Sequence, residues 1–124
     1  MGAIAVITTV GTEQEANELA EELLGRRLAA CVNIVSGVRS IYRWQGRICK
    51  DSEYLLVIKS MEEEVDEISA TIKELHSYEL PEVLAIPIQH ADERFLGWIA
   101  ECVDKSPIED DDSDDDLESG DRPA

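Results

Sequence analysis

Residues 29–60 read AACVNIVSGVRSIYRWQGRICKDSEYLLVIKS, and this stretch decides the fold of the chain. Both of its arms are rich in β-branched and aromatic residues, which favour strands. Between the arms lies Gln45-Gly46, and a glycine with positive φ permits a tight turn. The pattern predicts two antiparallel strands, each of roughly 13 to 15 residues and about 45 Å in length at ~3.3 Å per residue. Ordinary strands span only about 17–20 Å.

A hairpin of this length reaches beyond what the rest of a 124-residue chain can cover. Its distal half exposes open strand edges and apolar side chains, which invite pairing with another chain. These side chains are Val38, Ile41, Tyr42, Trp44 and Ile48. We therefore expect a homo-oligomer whose subunits exchange hairpin contacts. Ser36-Gly37 predicts a bulge in the first arm, and Ser52 a matching bend opposite it. The alternative is a shorter hairpin with irregular ends.

Composition indicates one domain and narrows the range of partners. The formal net charge is −17, and 44% of the residues are hydrophobic. Residues 107–124 carry nine acids and one Arg, whereas residues 1–106 carry nineteen acids and ten bases. Neither part shows a basic stripe, so the sequence argues against nucleic-acid binding.

Three cysteines, Cys31, Cys49 and Cys102, stand at wide spacings without a CxxC pair. This pattern encodes neither a disulfide framework nor a cysteine-rich zinc site, and it predicts reduced thiols in a cytoplasmic protein. The N-terminus lacks the basic region of an export signal, and no apolar run approaches ~18 residues. The sequence therefore predicts neither export nor a membrane span.

The segments around the hairpin alternate between strand and helix patterns. Ala3–Val10 is a continuous apolar run, typical of a central strand buried on both faces. Thr12 and Glu15 predict a capping box and a helix to about Arg27. Ser60 and Glu63 predict a second capping box and a second helix. The apolar stripe of that helix is Val65, Ile68, Ile72 and Leu75.

The last elements complete a recognisable order. Val83–Ile88 predicts an edge strand, because Pro87 lacks a ladder donor, and Asp92 predicts the N-cap of a short third helix. The order β-α-β-β-α-β plus a C-terminal helix predicts an α+β, ferredoxin-like antiparallel sheet. This domain is expected to span residues 1–105. Residues 106–124 are expected to form a disordered acidic tail, either simply solvated or capturing hard cations diffusely.

The chain shows no catalytic constellation, so we do not expect an enzyme. The loop Leu75–Glu82 is polar, aromatic and proline-bearing, and such loops place side chains at sheet ends. His76, Glu79 and Glu82 predict a site for a divalent cation such as Cu²⁺ or Zn²⁺. Alternatively, His76 caps the preceding helix and the two glutamates are solvated or pair with a base.

Five further residues are candidates for a cleft between subunits. They are Cys31, Tyr42, Trp44, Lys59 and Tyr78. Tyr42 and Trp44 are expected to pack between subunits, or to lie at the edge of a ligand cleft. Cys31 lies in an apolar strand start, which favours a buried thiol over a metal ligand.

Several motifs, in this order along the chain, resemble the CutA family of divalent-cation tolerance proteins. They are Leu28–Asn33, Ser40–Gly46, Leu56–Lys59, Leu75–Glu82 and Phe95–Ile99. The resemblance covers most of residues 3–103. It implies a homotrimer similar in build to the PII signalling proteins, with long hairpins that wrap neighbouring subunits. It also implies a role in tolerance of divalent metals, copper above all.

The resemblance has departures that bear on metal binding. Copper-binding members of the family carry a cysteine at the end of strand one and a His-His pair before the tyrosine loop. Here these positions hold Thr8 and Leu75-His76. Two hypotheses follow: a trimeric metal-responsive protein that binds cations through His76, or a PII-like sensor or scaffold. The second would bind a small ligand or partner between subunits through Lys59, Tyr78 and Glu79.

Overall fold

Two long strands dominate the computed structural model of the protein, which describes residues 2–106. They are β2, Cys31–Trp44, and β3, Arg47–Met61, and they pair in antiparallel fashion. Gln45 (φ 50°) and Gly46 (φ 77°) form the turn between them. Positive φ at both central residues is what a two-residue turn of matching twist requires. The predicted long hairpin is confirmed.

The sheet contains four strands in the order β2-β3-β1-β4, and every pair is antiparallel. Strand β1, Ala3–Val10, lies between β3 and β4, so the predicted central position is confirmed. Strand β4, Leu84–Pro87, is shorter than the predicted Val83–Ile88. It forms the sheet edge, where a proline costs no more than one ladder bond.

A bulge divides the hairpin into a proximal and a distal part. Val35 pairs with Leu55, but the next pair is Val38 with Glu53, so the bulge contains Ser36 and Gly37. Gly37 has φ 74°, which glycine adopts without a steric penalty. The predicted bulge is confirmed. The bend predicted at Ser52 is wrong, because the register continues unbroken there.

The three helices differ in how they begin. Helix α1, Glu13–Gly25, is capped by Thr12 Oγ1, which accepts from the Glu15 N–H at 3.1 Å. The Glu15 carboxylate does not complete the predicted box, since it accepts from the Ser77 N–H at 3.0 Å instead. Helix α3, Glu93–Cys102, is capped by Asp92 as predicted.

Helix α2, Val65–Leu75, begins later than predicted, after a 3₁₀ turn at Glu62–Glu64. The capping box predicted at Ser60 is wrong, because β3 runs through this residue. Ser60 is fully buried, and its hydroxyl donates to the Leu28 carbonyl at 2.6 Å. The hydroxyl thus ties the end of β3 to the loop before β2.

The core lies between one face of the sheet and helices α1 and α2. Its members are Ile4, Val6, Val10, Ala16, Leu19, Leu23, Leu28, Ala29, Leu56, Ile58, Ile68 and Ile72. Helix α3 contacts β1 and β3 and buries Ile99 outside this cluster. The structure is therefore an α+β protein with a four-stranded antiparallel sheet and three helices within residues 2–106.

One buried group in the core is unsatisfied, and it leads to a prediction about stability. Thr8 is 0% exposed, and its Oγ1 has no hydrogen-bond partner among residues 2–106. Thr8→Val replaces this hydroxyl with a methyl group of similar shape and removes its desolvation cost. We expect a gain of about 1 kcal/mol in the free energy of unfolding, measured by urea titration at fixed protein concentration.

Ser60 offers the matched control, because its buried hydroxyl does have a partner. Ser60→Ala removes the bond to Leu28, so it should lower the free energy of unfolding by about 1 kcal/mol. If Thr8→Val also destabilises the protein, the Thr8 hydroxyl is satisfied in solution and this account is wrong.

Candidate functional site

The loop after α2 folds back against the C-terminal end of β1. His76 follows Leu75, and its backbone N–H donates to the Ile72 carbonyl at 2.9 Å. Its half-buried ring contacts the Thr9 carbonyl through Nε2 at 2.7 Å. The other ring nitrogen, Nδ1, accepts from the Tyr78 N–H at 3.1 Å. His76 therefore ties the helix end, the loop and the sheet together.

These two contacts assign the tautomer of His76. Because Nδ1 accepts a hydrogen bond, it carries no proton, so Nε2 bears the N–H that donates to Thr9. Both ring nitrogens of the neutral imidazole are thus engaged by the main chain. To ligate a metal ion, the ring has to give up one of these two hydrogen bonds.

Tyr78 extends this contact from the loop to the hairpin. Its hydroxyl donates to Glu53 Oε2 at 2.6 Å, and Glu53 is only 5% exposed. Burial and the neighbouring Glu53 carboxylate raise the pKa of the Tyr78 hydroxyl above its usual value. A Cβ built on Gly11 would lie 3.3 Å from the Tyr78 hydroxyl oxygen. Gly11 therefore leaves the space through which Tyr78 reaches Glu53.

A second tyrosine and carboxylate pair lies further along the hairpin. The Tyr42 hydroxyl donates to Asp51, and this hydrogen bond raises the pKa of Tyr42 to about 12. This second pair lies at the surface, since Tyr42 is 41% exposed, whereas the first pair includes the buried Glu53. After burial and Glu53, the charges of Asp51 and Tyr42 also raise the pKa of Tyr78. The second pair is therefore close enough to the first for its charges to affect the ionisation of Tyr78.

Two of the three predicted metal ligands, His76 and Glu82, lie near one another, but the three do not form a metal site. The Thr9 hydroxyl donates to Glu82 Oε1 at 3.4 Å, so Thr9 contacts both His76 and Glu82. Glu79 is exposed. Across residues 2–106, no three His, Cys, Asp or Glu side chains are grouped so that they could hold a metal ion. The loop thus brings the imidazole of His76 and the carboxylate of Glu82 into contact with the same residue of β1, Thr9.

The predicted cleft residues fall into separate groups within one chain. Cys31 and Lys59 are cross-strand partners, and both contact Asn33 Oδ1. The Lys59 ammonium donates to it at 2.6 Å, and the Cys31 thiol at 3.9 Å. Trp44 lies at the hairpin tip and is 38% exposed. Tyr78 and Tyr42 lie between these two ends, on the carboxylates Glu53 and Asp51.

Sequence reasoning missed the groups that hold the loop in place. Glu53 precedes the apolar run Tyr54–Ile58 within a strand, and a buried acid there needs a donor. That position was a usable signal, and it points to a tyrosine or a base elsewhere in the chain. Thr9 and Gly11 carry no such signal. Thr9 acts through its backbone carbonyl, which every residue has, and a glycine does not indicate which side chain occupies the space beside it.

These observations define a class: a small α+β protein with an extended hairpin and a loop anchored by His76 and Tyr78. The sequence profile described as CutA1 divalent ion tolerance protein matches residues 4–102, and the chain belongs to this family. The predicted family resemblance is confirmed. Among residues 2–106, no helix is both long and apolar enough to cross a membrane.

Individual relatives agree with this assignment. The chain is 43% identical over 96 residues to the divalent-cation tolerance protein CutA of Thermus thermophilus, spanning 77% of this chain and 93% of the relative. It is 38% identical over 104 residues to the chloroplastic protein CutA 1 of Oryza sativa subsp. japonica, spanning 84% of this chain and 59% of the relative. The crystal structure of CutA1 from Oryza sativa matches with a TM-score of 0.81 at 38% identity, covering 84% of this chain and 95% of that one.

Proposed function

We propose that this protein acts as a homotrimer in tolerance of divalent cations, in a role that is not catalytic. The observation that carries the assembly is the uncovered apolar surface of the hairpin. Ile41 and Ile48 are 58% and 63% exposed, which is unusual for isoleucines in strands. Their burial requires another chain, because nothing within residues 2–106 covers them.

The opposite face of the sheet supports the same assembly. Helices α1 and α2 cover the face that carries Val6, Leu56 and Ile58. On the other face, Leu84 and Ile86 of the edge strand are 52% and 47% exposed. A large uncovered apolar face is typical of a subunit interface. The strand order β2-β3-β1-β4 supports a ferredoxin-like, PII-like arrangement of each subunit.

The same assembly provides a place for a ligand. Cys31 and Lys59 lie at the base of the hairpin and Trp44 at its tip, so one chain alone does not bring them together. A hairpin laid over a neighbouring subunit would place Trp44 and Tyr42 near that subunit's loop. The proposed cleft is then lined by residues of two subunits.

Cation binding through His76, with Glu79 and Glu82, is proposed to be weak to moderate. The observation in its favour is that the His76 ring and the Glu82 carboxylate both meet Thr9. Cation binding would require the imidazole to give up one of its two hydrogen bonds. If Nδ1 gives up the Tyr78 amide to bind a cation, the loop that carries the Tyr78–Glu53 bond loosens. Cation binding would thereby be coupled to the subunit cleft.

This site leads to a prediction about Cu²⁺ and Zn²⁺. We expect His76→Ala to weaken the affinity for either ion at least tenfold, or ~1.4 kcal/mol, in calorimetric titrations. Binding to the unaltered protein should weaken in acid, because an imidazole must be deprotonated to ligate a metal ion. Glu82→Gln should weaken the affinity less, since it removes a charge but keeps an oxygen donor.

His90 provides the matched control, because it is the other histidine of the chain and is exposed. His90→Ala should leave both affinities unchanged. If His76→Ala also leaves them unchanged, His76 serves only to anchor the loop. The function would then be that of a PII-like sensor or scaffold, which binds a small ligand or partner through Lys59, Tyr78 and Glu79.

The proposed site of action is the cytoplasm. Cys31, Cys49 and Cys102 are all free thiols, none of them fully buried. Half-exposed thiols persist in a reducing compartment. This supports the proposal without assigning any thiol a role in chemistry.

A further inference from the structure

Two of the cysteines lie at one end of the sheet, where β2 begins and β3 ends. Cys31 is the first residue of β2 and pairs with Lys59, close to the end of β3 at Met61. Its neighbour Val32 packs against the core. Because successive side chains of a strand point to opposite faces, Cys31 points to the face that α1 and α2 do not cover. The sequence favoured a buried thiol here, but Cys31 is only half-buried.

Helix α3 brings the second thiol to the same end of the sheet. Cys102 is the last residue of α3, and its carbonyl accepts from the Arg27 Nε at 3.3 Å. Arg27 lies between α1 and β2, shortly before Cys31. The Lys105 ammonium, just beyond α3, donates to Glu64 at 2.7 Å, and Glu64 follows the end of β3. Two side-chain contacts thus hold the C-terminal end of α3 beside the start of β2 and the end of β3.

Helix α3 also lies on the face to which Cys31 points. The helix contacts β1 and β3, and its buried Ile99 does not belong to the core between the sheet and helices α1 and α2. Ala3 of β1 points away from that core, because the next residue, Ile4, belongs to it. Ala3 is nevertheless only 3% exposed, so α3 covers this end of the second face. The thiols of Cys31 and Cys102 are therefore neighbours on one face of the sheet.

Each of the two thiols has a cation beside it. The Lys59 ammonium and the Cys31 thiol share one acceptor, Asn33 Oδ1, at 2.6 and 3.9 Å. Burial raises the pKa of the Cys102 thiol, whereas the Arg27 guanidinium lowers it. The charge of Cys31 also raises the pKa of Cys102, as expected for two thiols close enough to interact. The two cations favour an anionic group held between the sulfur atoms.

The number and kind of these ligands select the ion. Soft thiolates favour Cu⁺ and Zn²⁺. A structural Zn²⁺ site takes four ligands, but no group of three His, Cys, Asp or Glu side chains within residues 2–106 could hold a metal ion. Cu⁺ needs only a pair of thiolates, in a linear complex with one net negative charge. We propose that Cys31 and Cys102 bind one Cu⁺ ion between their sulfur atoms, releasing both thiol protons to solvent.

This site lies within one chain, so it goes beyond the proposed function and does not depend on the trimer. It lies at the base of the hairpin and includes neither the exposed distal residues Ile41 and Ile48 nor the loop that carries His76. It also takes a different ion. Imidazole and carboxylate suit Cu²⁺ or Zn²⁺, whereas paired thiolates suit the softer Cu⁺.

Competition with the Cu⁺ chelator bicinchoninate, in the absence of oxygen, measures the affinity of the full chain. Loss of an outer partner of a metal ligand already costs about 10–100-fold in affinity, so loss of a ligand should cost at least about a hundredfold. Cys31→Ser and Cys102→Ser should each show this loss. The double variant should be little weaker than either single variant, because both thiolates serve one ion.

Cys49 provides the matched control, because it pairs with Tyr42 on the distal part of the hairpin. Cys49→Ser should leave the Cu⁺ affinity unchanged. X-ray absorption of Cu⁺-loaded Cys49→Ser protein should show sulfur as the only neighbour of the copper. This measurement keeps both proposed ligands, so it does not depend on how a Cys31 or Cys102 variant folds.

The outcomes separate this inference from the proposed function. His76→Ala should leave the Cu⁺ affinity unchanged while it weakens the binding of Cu²⁺. If a substitution at Cys31 or at Cys102 leaves the Cu⁺ affinity unchanged, or if the copper has nitrogen or oxygen neighbours, the inference is wrong. Neither result affects the proposal for His76, which is tested with Cu²⁺ and Zn²⁺.

Discussion

Replacement of residues 39–52 with Asn-Gly is expected to convert the proposed trimer into a monomer. Val38 and Glu53 are cross-strand partners, so a two-residue Asn-Gly turn can close the hairpin between them. The shortened chain keeps the core, the bulge and the Tyr78–Glu53 bond. It loses Ile41, Trp44 and Ile48, whose exposed surface has no cover within residues 2–106. Sedimentation velocity at micromolar concentration measures the outcome.

The control for this variant alters the turn without shortening the hairpin. Gln45 has φ 50°, which Asn tolerates better, so Gln45→Asn should keep the trimer and not lower its stability. Trp44→Ser tests the same surface by a single change and should raise the trimer dissociation constant. If the shortened protein folds and still sediments as a trimer, the distal hairpin does not hold the subunits together.

Tyr78→Phe is expected to lower the free energy of unfolding by about 2–4 kcal/mol, because Glu53 is left buried without its donor. Glu53 is only 5% exposed, so water does not replace the lost donor. Tyr42→Phe is the matched control. This change removes the equivalent hydroxyl from an exposed tyrosine–carboxylate pair. It should lower the free energy of unfolding by less than about 1 kcal/mol. Urea titrations of both variants at equal protein concentration measure the difference.

A compensating change distinguishes a lost bond from lost packing. In the Tyr78→Phe background, Glu53→Leu removes the orphaned charge and should recover most of the stability, since an apolar pair can replace a buried polar one. If Tyr78→Phe costs no more than Tyr42→Phe, the Glu53 carboxylate finds another partner. The claim that this bond holds the loop would then be wrong.

The same bond sets a pH dependence in the alkaline range. Tyrosine in an unfolded chain ionises near pH 10, while burial and Glu53 raise the pKa of Tyr78 in the folded state. The unfolded chain therefore releases this proton first, and the stability supplied by the bond falls as pH rises above about 10. Tyr78→Phe should flatten this decline more than Tyr42→Phe does.

The long hairpin, its bulge and its turn followed from local residue types. β-branched and aromatic residues favour strands, and Gly37 and Gly46 permit positive φ, so each feature is encoded where it occurs. The N-caps at Thr12 and Asp92 were predictable for the same reason. Ser60 was misjudged because its residue type suits a cap equally well, and only its burial beside Leu28 in the folded chain decided its partner.

The candidate site was predicted in part. His76 and Tyr78 stood out because polar and aromatic residues in a loop are chemically distinctive. Their pairings could not be read from the sequence, because Thr9 acts through a backbone carbonyl and because the position of Glu53 signals a donor without showing that Tyr78 supplies it. Whether an imidazole is free or engaged depends on which atoms approach it, and that is a property of the folded chain.

The sequence by itself therefore determined the strands, the helices, the family and the excess of negative charge, because each depends on residue types close together in the chain. Only the tertiary structure decided that both nitrogens of His76 are engaged and that Tyr78 reaches a buried Glu53. These arrangements arise from strand register and chain reversal, which bring together residues from separate segments. Pairwise contacts of that kind have no signature in local composition.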